Sequence, residues 1–293
     1  MHRIFKNPEK PKNNRQVYYL FNHLLKFRTV KRYELSFDRI NQQFYDSFVS
    51  YMMITHKSLN NTIGKYIKTI KAFINFCIDR GYCQPNNEVT KFKVFGEDGE
   101  MIYLSEDELF RIINLELDSE KLKVVRDNFC FACFTALRYS DISRLKPENI
   151  KEDYLEITTE KTRDFLRIPL KHHAKALLIK NNGMLPKLFS NQKVNDYLKD
   201  IGKLAEINES IIITKYRGIE KVEFLEPKYN FISSHTARRT FVTLSLEKGM
   251  RPETVMSITG HKDYKTFKKY IKLTDKVKLA EMNNIWADVL KIA

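Results

Sequence analysis

At 293 residues, with 43% hydrophobic and 30% charged side chains, the chain can fold as one large or two moderate domains, and it lies outside the disordered and membrane classes. Its formal net charge of +15 is unevenly spread: residues 1–95 hold 17 Lys and Arg against 6 Asp and Glu, leaving 34 against 30 for the rest. A basic N-terminal third points to a polyanion partner, nucleic acid first.

Residues 1–14 are polar, carry Pro8 and Pro11, and read as a flexible lead. Neither this N-terminus nor the longest apolar run, Phe129 to Leu137, resembles a signal or a membrane span, so a cytoplasmic protein without a membrane partner is expected. Three helices follow, over about 15–31, 38–55 and 60–81. In the third, Ile63, Tyr66, Ile67, Ile70, Phe73, Ile74 and Cys77 recur at the helical period, Lys65, Lys68 and Lys71 occupy the other face, and Gly81 supplies the stop. A small bundle with one basic side results, suited to a DNA backbone or groove.

From Tyr82 to Tyr103 the period is lost among Pro85, Gly96 and Gly99, which predicts a linker and a domain boundary near residue 97. Domains are therefore expected over 1–97 and 98–293. Ser105 to Glu108 reads as a capping box that opens a helix. A second helix, about 121–136, carries Cys130 and Cys133. With no second cysteine pair to complete a zinc site, these two read as buried core thiols, and no metal or disulfide is expected.

A short helical piece after Arg138 stops at Pro147. Residues 149–170 then read as a β-hairpin with Lys161 at or beside its turn. Helices return at about 172–181 and 191–206, and 207–232 is expected to be irregular apart from one β-rich run, Ile211–Thr214. A last amphipathic helix is expected over about 275–291, around Trp286.

Between these elements lie groups suited to phosphoryl transfer. In order they are Arg138 after a buried helix, Lys161 at a hairpin turn, His235 with Arg238 on one helical face, His261 after Gly260, and Tyr270. Singly each is unremarkable; an isolated Arg138 would be a salt-bridge arginine. Their combination is specific.

Thr135-Ala-Leu-Arg138-Tyr-Ser-Asp141, Lys161, His235-Thr-Ala-Arg238, Gly260-His261 and Tyr270 resemble the motifs of the tyrosine recombinase, or phage integrase, family over nearly all of residues 15–290. Ala136 stands where that family usually has Gly, and Asp141 where it often has Glu. The resemblance implies a mainly α fold with a small β-sheet: an N-terminal helical SAM-like core-binding bundle and an α+β catalytic domain clamping duplex DNA.

It also implies the roles of the residues. Tyrosine hydroxyls ordinarily ionise near ~10 and attack poorly without help. Arg138 and Arg238 would clamp the non-bridging oxygens, Lys161 would protonate the leaving 5′-oxygen, His235 would assist proton transfer at Tyr270, and His261 would hydrogen-bond the phosphate. Asp141 would orient Arg138 or His235. Arg144, Arg163, Arg239 and Lys262 are candidate DNA contacts beside Lys65, Lys68 and Lys71, whereas Tyr264 is a rival nucleophile set aside on spacing.

The implied product is a 3′-phosphotyrosyl intermediate whose conserved bond energy lets religation proceed without ATP, metal or another cofactor. The expected function is site-specific recombination for a phage or conjugative element. The partners are double-stranded DNA and three further protomers, a tetramer on two sites, with DNA-bending accessory factors admitted. The last helix would dock into a neighbour or on its own domain through Val277, Ala280, Ile285 and Val289. A bacterial cytoplasmic, nucleoid-associated location goes with this reading. The alternatives are a type IB topoisomerase-like relaxing enzyme and a DNA-binding accessory protein that has lost cleavage. Because the chain starts almost directly with the core-binding part, a fragment lacking an arm-binding domain and a minimal type both fit.

Overall fold

The apolar stripe read at residues 60–81 is the surface around which the first unit packs. In a computed structural model, which describes residues 15–271 and Met282, it lies on helix α3 (Asn60–Asp79). Ile63, Ile67, Ile70, Ile74 and Cys77 are buried there against α1 (Arg15–Lys31), α2 (Gln42–Ile54) and α4 (Asn87–Lys91). The helix expected at 275–291, with Val277, Ala280, Ile285, Trp286 and Val289, lies outside the described residues.

The bounds of these helices follow their caps. The second helix begins at Gln42, not 38, because Phe37–Arg39 forms a 3-10 turn and the Asn41 side chain accepts from Phe44 N at 3.1 Å. Gly81 takes a φ of +70° past the end of α3, the left-handed stop a glycine permits. At Gly64 the constraint is space: a Cβ there would come within 1.9 Å of the Phe95 carbonyl oxygen. The segment 82–103 is not wholly irregular, since the Asn86 side chain caps the short α4.

By contacts the chain forms two compact units, one of the described residues up to Glu100 with Ile212–Phe224, the other of Met101–Ile211 with the described residues from Leu225. The segment 212–224 carries the main difference from the sequence expectation. Instead of one β-rich run it folds as a two-stranded sheet of β3 (Ser210–Arg217) and β4 (Glu220–Pro227). Its turn is held by Asn60, whose side chain accepts from Gly218 N at 2.7 Å and donates to Gly218 O at 2.9 Å. The second strand was invisible to hydropathy because it is mostly exposed and charged, Glu220-Lys-Val-Glu223.

In the other unit, α5 (Glu106–Asn114) starts at the expected capping box, with Ser105 N donating to Glu108 Oε2 at 2.7 Å. Helix α6 (Glu120–Thr135) is buried among α5, α8 (His172–Lys180), α9 (Asn191–Leu204) and α10 (Ser234–Glu247). Cys130 and Cys133 are buried core thiols; desolvation pushes Cys130 up to about 12 and holds Cys133 well above the ordinary thiol value. After α7 (Tyr139–Ile142), strands β1 (Tyr154–Thr158) and β2 (Phe165–Pro169) pair antiparallel, Tyr154 opposite Pro169 and Thr158 opposite Phe165. Helices α11 (Pro252–Thr259) and α12 (Tyr264–Ile271) pack on α10 through Val242, Leu246, Val255, Phe267 and Tyr270. The fold class is as expected, mainly α with small sheets, and among the described residues no helix is long and apolar enough to cross a membrane.

Helix α6 ends on Ala136 at φ +57° and ψ +12°, a left-handed cap that strains any Cβ. Ala136→Gly removes that strain against a smaller gain in unfolded-chain freedom, for a net stabilisation of about 0.5–1 kcal/mol. Urea denaturation of the two proteins checks it through the midpoint at unchanged slope.

Candidate active site

The end of α6 sets the first arginine. Ala136 turns the chain, and Arg138 follows in extended conformation just before α7. Three residues on, buried Asp141 places Oδ2 at 4.0 Å from Arg138 Nη1 while Oδ1 accepts from Glu160 N at 2.9 Å. Burial raises the Asp141 pKa, with Arg138 and Arg238 opposing. Among the described residues Arg138 Nη1 is buried without a hydrogen-bond partner.

The second arginine is held differently. Arg238, on the first turns of α10, is 2% exposed and donates through Nη1 to Ala136 O at 2.9 Å and through Nη2 to Thr259 O. These carbonyls end α6 and α11, where helix dipoles favour a cation. Burial and the neighbouring Arg138 lower Arg238 to about 10, which leaves it charged at neutral pH.

Gly260, at φ +69°, caps α11 and folds His261 back, so that Nδ1 lies 2.7 Å from Thr259 Oγ1. The His261 ring centroid is 5.7 Å from that of Tyr270, and Phe267 completes the aromatic group at 5.3 and 5.7 Å. Burial and the charges of Arg238, Arg138 and Lys269 hold His261 at about 4. His235 is drawn down to about 4 by desolvation and by Arg239, Arg238 and Arg138. Its ring is exposed, however, so water weakens the desolvation and the cations secure the direction. Tyr270 is 2% exposed; desolvation raises its pKa while Arg238, Arg239 and Arg138 pull it back.

The structure thus brings Arg138, His235, Arg238, His261 and Tyr270 into one electrostatic neighbourhood. Lys161 stands apart: it is exposed on the β1–β2 turn, and among the described residues no hydrogen bond or ion pair engages it. Tyr264, the rival tyrosine, is 51% exposed and outside the cluster.

Three residues enter that sequence reasoning did not place there. Thr259 bonds both Arg238 and His261, Lys269 lies 5.7 Å from the Tyr270 ring, and Arg239, read as a DNA contact, is half-buried beside Tyr270. Adjacency to His261, Tyr270 and Arg238 was the one signal available for them.

The surface cations divide. Lys65, Lys68 and Arg163 are exposed. Lys71 instead donates to Thr90 O at 2.8 Å and Phe92 O at 3.0 Å, closing α4. Arg144 is ion-paired with Glu160, and Lys262 with Asp164 at 2.6 Å.

This arrangement gathers arginine charges around a buried tyrosine hydroxyl. Residues 103–276 match the sequence model of the phage integrase family, and residues 3–94 that of the phage integrase SAM-like domain. The chain belongs to the phage integrase family. It is a tyrosine recombinase, an enzyme that breaks and rejoins DNA strands.

Comparison with curated protein sequences finds no match. Among solved structures the recombinase resembles lambda integrase(75-356) bound as a dimer to a COC′ core site, at TM-score 0.64 and 18% identity over 88% of this chain and 90% of that one. XerH recombinase bound to a palindromic difH substrate gives 0.61 and 18%, over 90% and 78%. Tn1549 transposon integrase with transposon right end DNA gives 0.60 and 16%, over 94% and 95%. At these identities the likeness is one of fold.

The low histidine pKa values have a consequence for stability. Unfolded, each histidine binds its proton near the ordinary 6.5; folded, His261 stays neutral to about 4, so the unfolded chain takes up more protons between those values. Stability is therefore fully present above about pH 6.5 and falls as the pH drops towards 4. His261→Asn is expected to flatten this slope, read from urea midpoints at pH 7 and pH 5.

Proposed function

We propose that this recombinase serves a phage or conjugative element and that Tyr270 is its nucleophile. The observation that carries the reading is the uncompensated charge around that hydroxyl. Among the described residues Arg138 Nη1 is buried with no hydrogen-bond acceptor, and Asp141 Oδ2 stands 4.0 Å away. A buried guanidinium nitrogen in that condition is costly until an anion reaches it. The non-bridging oxygens of a phosphodiester are such an anion, and Arg238 stands ready as the second cation.

In this mechanism Tyr270 attacks the scissile phosphorus, forming the phosphotyrosyl bond as the bond to the 5′-oxygen breaks. Arg138 and Arg238 stabilise the charge that builds on the phosphoryl oxygens. His235, unprotonated at neutral pH, accepts the phenolic proton. Lys161 donates the proton that the leaving 5′-oxygen needs. Asp141 touches both halves of the machinery, since one carboxylate faces Arg138 and receives the backbone N–H of Glu160, the residue before Lys161. Attack by the free 5′-hydroxyl reverses the step without ATP, because the ester bond energy is kept in the adduct. Tyr270 is 2% exposed, so its hydroxyl has to be uncovered as DNA enters.

The partner in this reading is duplex DNA, gripped through phosphates by exposed cations including Lys65 and Lys68. Lambda integrase has been solved as a tetramer bound to a Holliday junction, at 17% identity and TM-score 0.62. Four protomers on two sites are proposed here by that likeness. A bacterial cytoplasmic, nucleoid-associated location follows from the partner.

Incubation with a nicked suicide duplex of its own site is expected to yield a covalent protein–DNA band on a denaturing gel. Tyr270→Phe abolishes the band, and Arg138→Ala slows its appearance by roughly 10²–10³-fold. A band that persists in Tyr270→Phe overturns the assignment.

A further inference from the structure

His261 reaches the phosphate only if its ring offers a hydrogen there, and which nitrogen carries that hydrogen is decided by what the other nitrogen meets. Here, among the described residues, Nδ1 meets the hydroxyl of Thr259, at 2.7 Å. Thr259 is the last residue of α11 and is 0% exposed. Its hydroxyl also lies 2.7 Å from Val255 O and 3.3 Å from Met256 O, so its single proton has two directions.

The alternatives have different chemistry. With the proton on Val255 O, Thr259 Oγ1 accepts from Nδ1–H, and Nε2 is left as a bare lone pair. With the proton turned to Nδ1, Nε2 carries the ring hydrogen. The first arrangement suits a ring facing only cations, and Arg238, Arg138 and Lys269 are the charges around it. The second suits a ring facing a phosphate oxygen, where a lone pair would be repelled. A turn of one buried hydroxyl, with the ring proton lost from Nδ1 to solvent and one taken up from solvent at Nε2, joins the two states, while the imidazole stays where Gly260 and the His261 N to Met256 O bond of 3.0 Å place it.

We propose that Thr259 is a positioning residue whose hydroxyl, by turning its proton onto Nδ1, makes His261 the Nε2–H tautomer that donates to the scissile phosphate. This rests on the reading of His261 as a phosphate contact. The same residue's carbonyl accepts from Arg238, so Arg238 and His261 are both set by Thr259, one through backbone and one through side chain. Substituting the side chain tests only the second.

Thr259→Val keeps volume and carbonyl and deletes the hydroxyl. Single-turnover adduct formation on the suicide duplex, with all proteins at saturating DNA, should slow roughly 10-fold, the worth of one hydrogen bond, and Thr259→Ser should restore it. In the background of His261→Ala, Thr259→Val should cost nothing further. Nitrogen-15 spectra of histidine-labelled Tyr270→Phe bound to intact site DNA should report a protonated Nε2 for His261 that Thr259→Val removes.

Wild-type rates in Thr259→Val, with His261→Ala slow, overturn the proposal and leave His261's role standing. Wild-type rates in His261→Ala overturn that role and the proposal with it. A Thr259→Val loss that serine does not restore, or that persists in His261→Ala, assigns Thr259 to packing and overturns the proposal as well.

Discussion

The site depends on one buried cation bridging two helix ends. Arg238 is 2% exposed, and its guanidinium is divided between the carbonyl of Ala136 at the end of α6 and that of Thr259 at the end of α11. Burying a charge is expensive unless it is hydrogen-bonded, and carbonyls at the negative end of a helix are suited to do it. Each bond also positions chemistry, since Arg138 lies two residues beyond Ala136 and His261 two beyond Thr259. One buried side chain is thus the framework that joins the two helix ends. A lysine could not replace it, because an ammonium lacks the rigid fork that reaches two carbonyls at once.

Both helix ends are left-handed caps, and they are not equally easy. Gly260 takes its positive φ without strain, and a Cβ there would press on the Leu166 side chain at 3.2 Å. Ala136 adopts the same conformation with a methyl group and is 1% exposed. A departure from the family's usual glycine is therefore a local strain next to Arg138, held in place by the Arg238 bond.

The β1–β2 turn shows how charge is spent where sequence counting cannot follow. Arg144 and Lys262 both look like spare cations for DNA, yet they pair with Glu160 and Asp164, which flank Lys161 on either side. Asp141 receives the Glu160 N–H and completes the hold on the turn. Phosphates entering the site would compete with these acids for Arg144 and Lys262, which are both exposed and therefore cheap to re-pair.

Much was legible in the sequence because the signals were local. The 3.6-residue stripe on α3, the Ser105 capping box, the hairpin around Lys161 and the order of Arg138, His235, Arg238, His261 and Tyr270 are written in neighbouring residues. Strand β4 was missed because its exposed, charged residues carry no hydropathy signal; its turn is held by Asn60, far away in sequence. Lys71 reads from the sequence as a DNA contact because its partners, Thr90 O and Phe92 O, are backbone atoms about twenty residues on. Sequence by itself determined which chemical groups the site has, since side-chain chemistry and helical spacing are short-range. Only the tertiary structure decided which cations stay unpaired, which histidine nitrogen meets Thr259 and how deeply Tyr270 is covered, because burial and hydrogen-bond partners exist only once distant segments have packed.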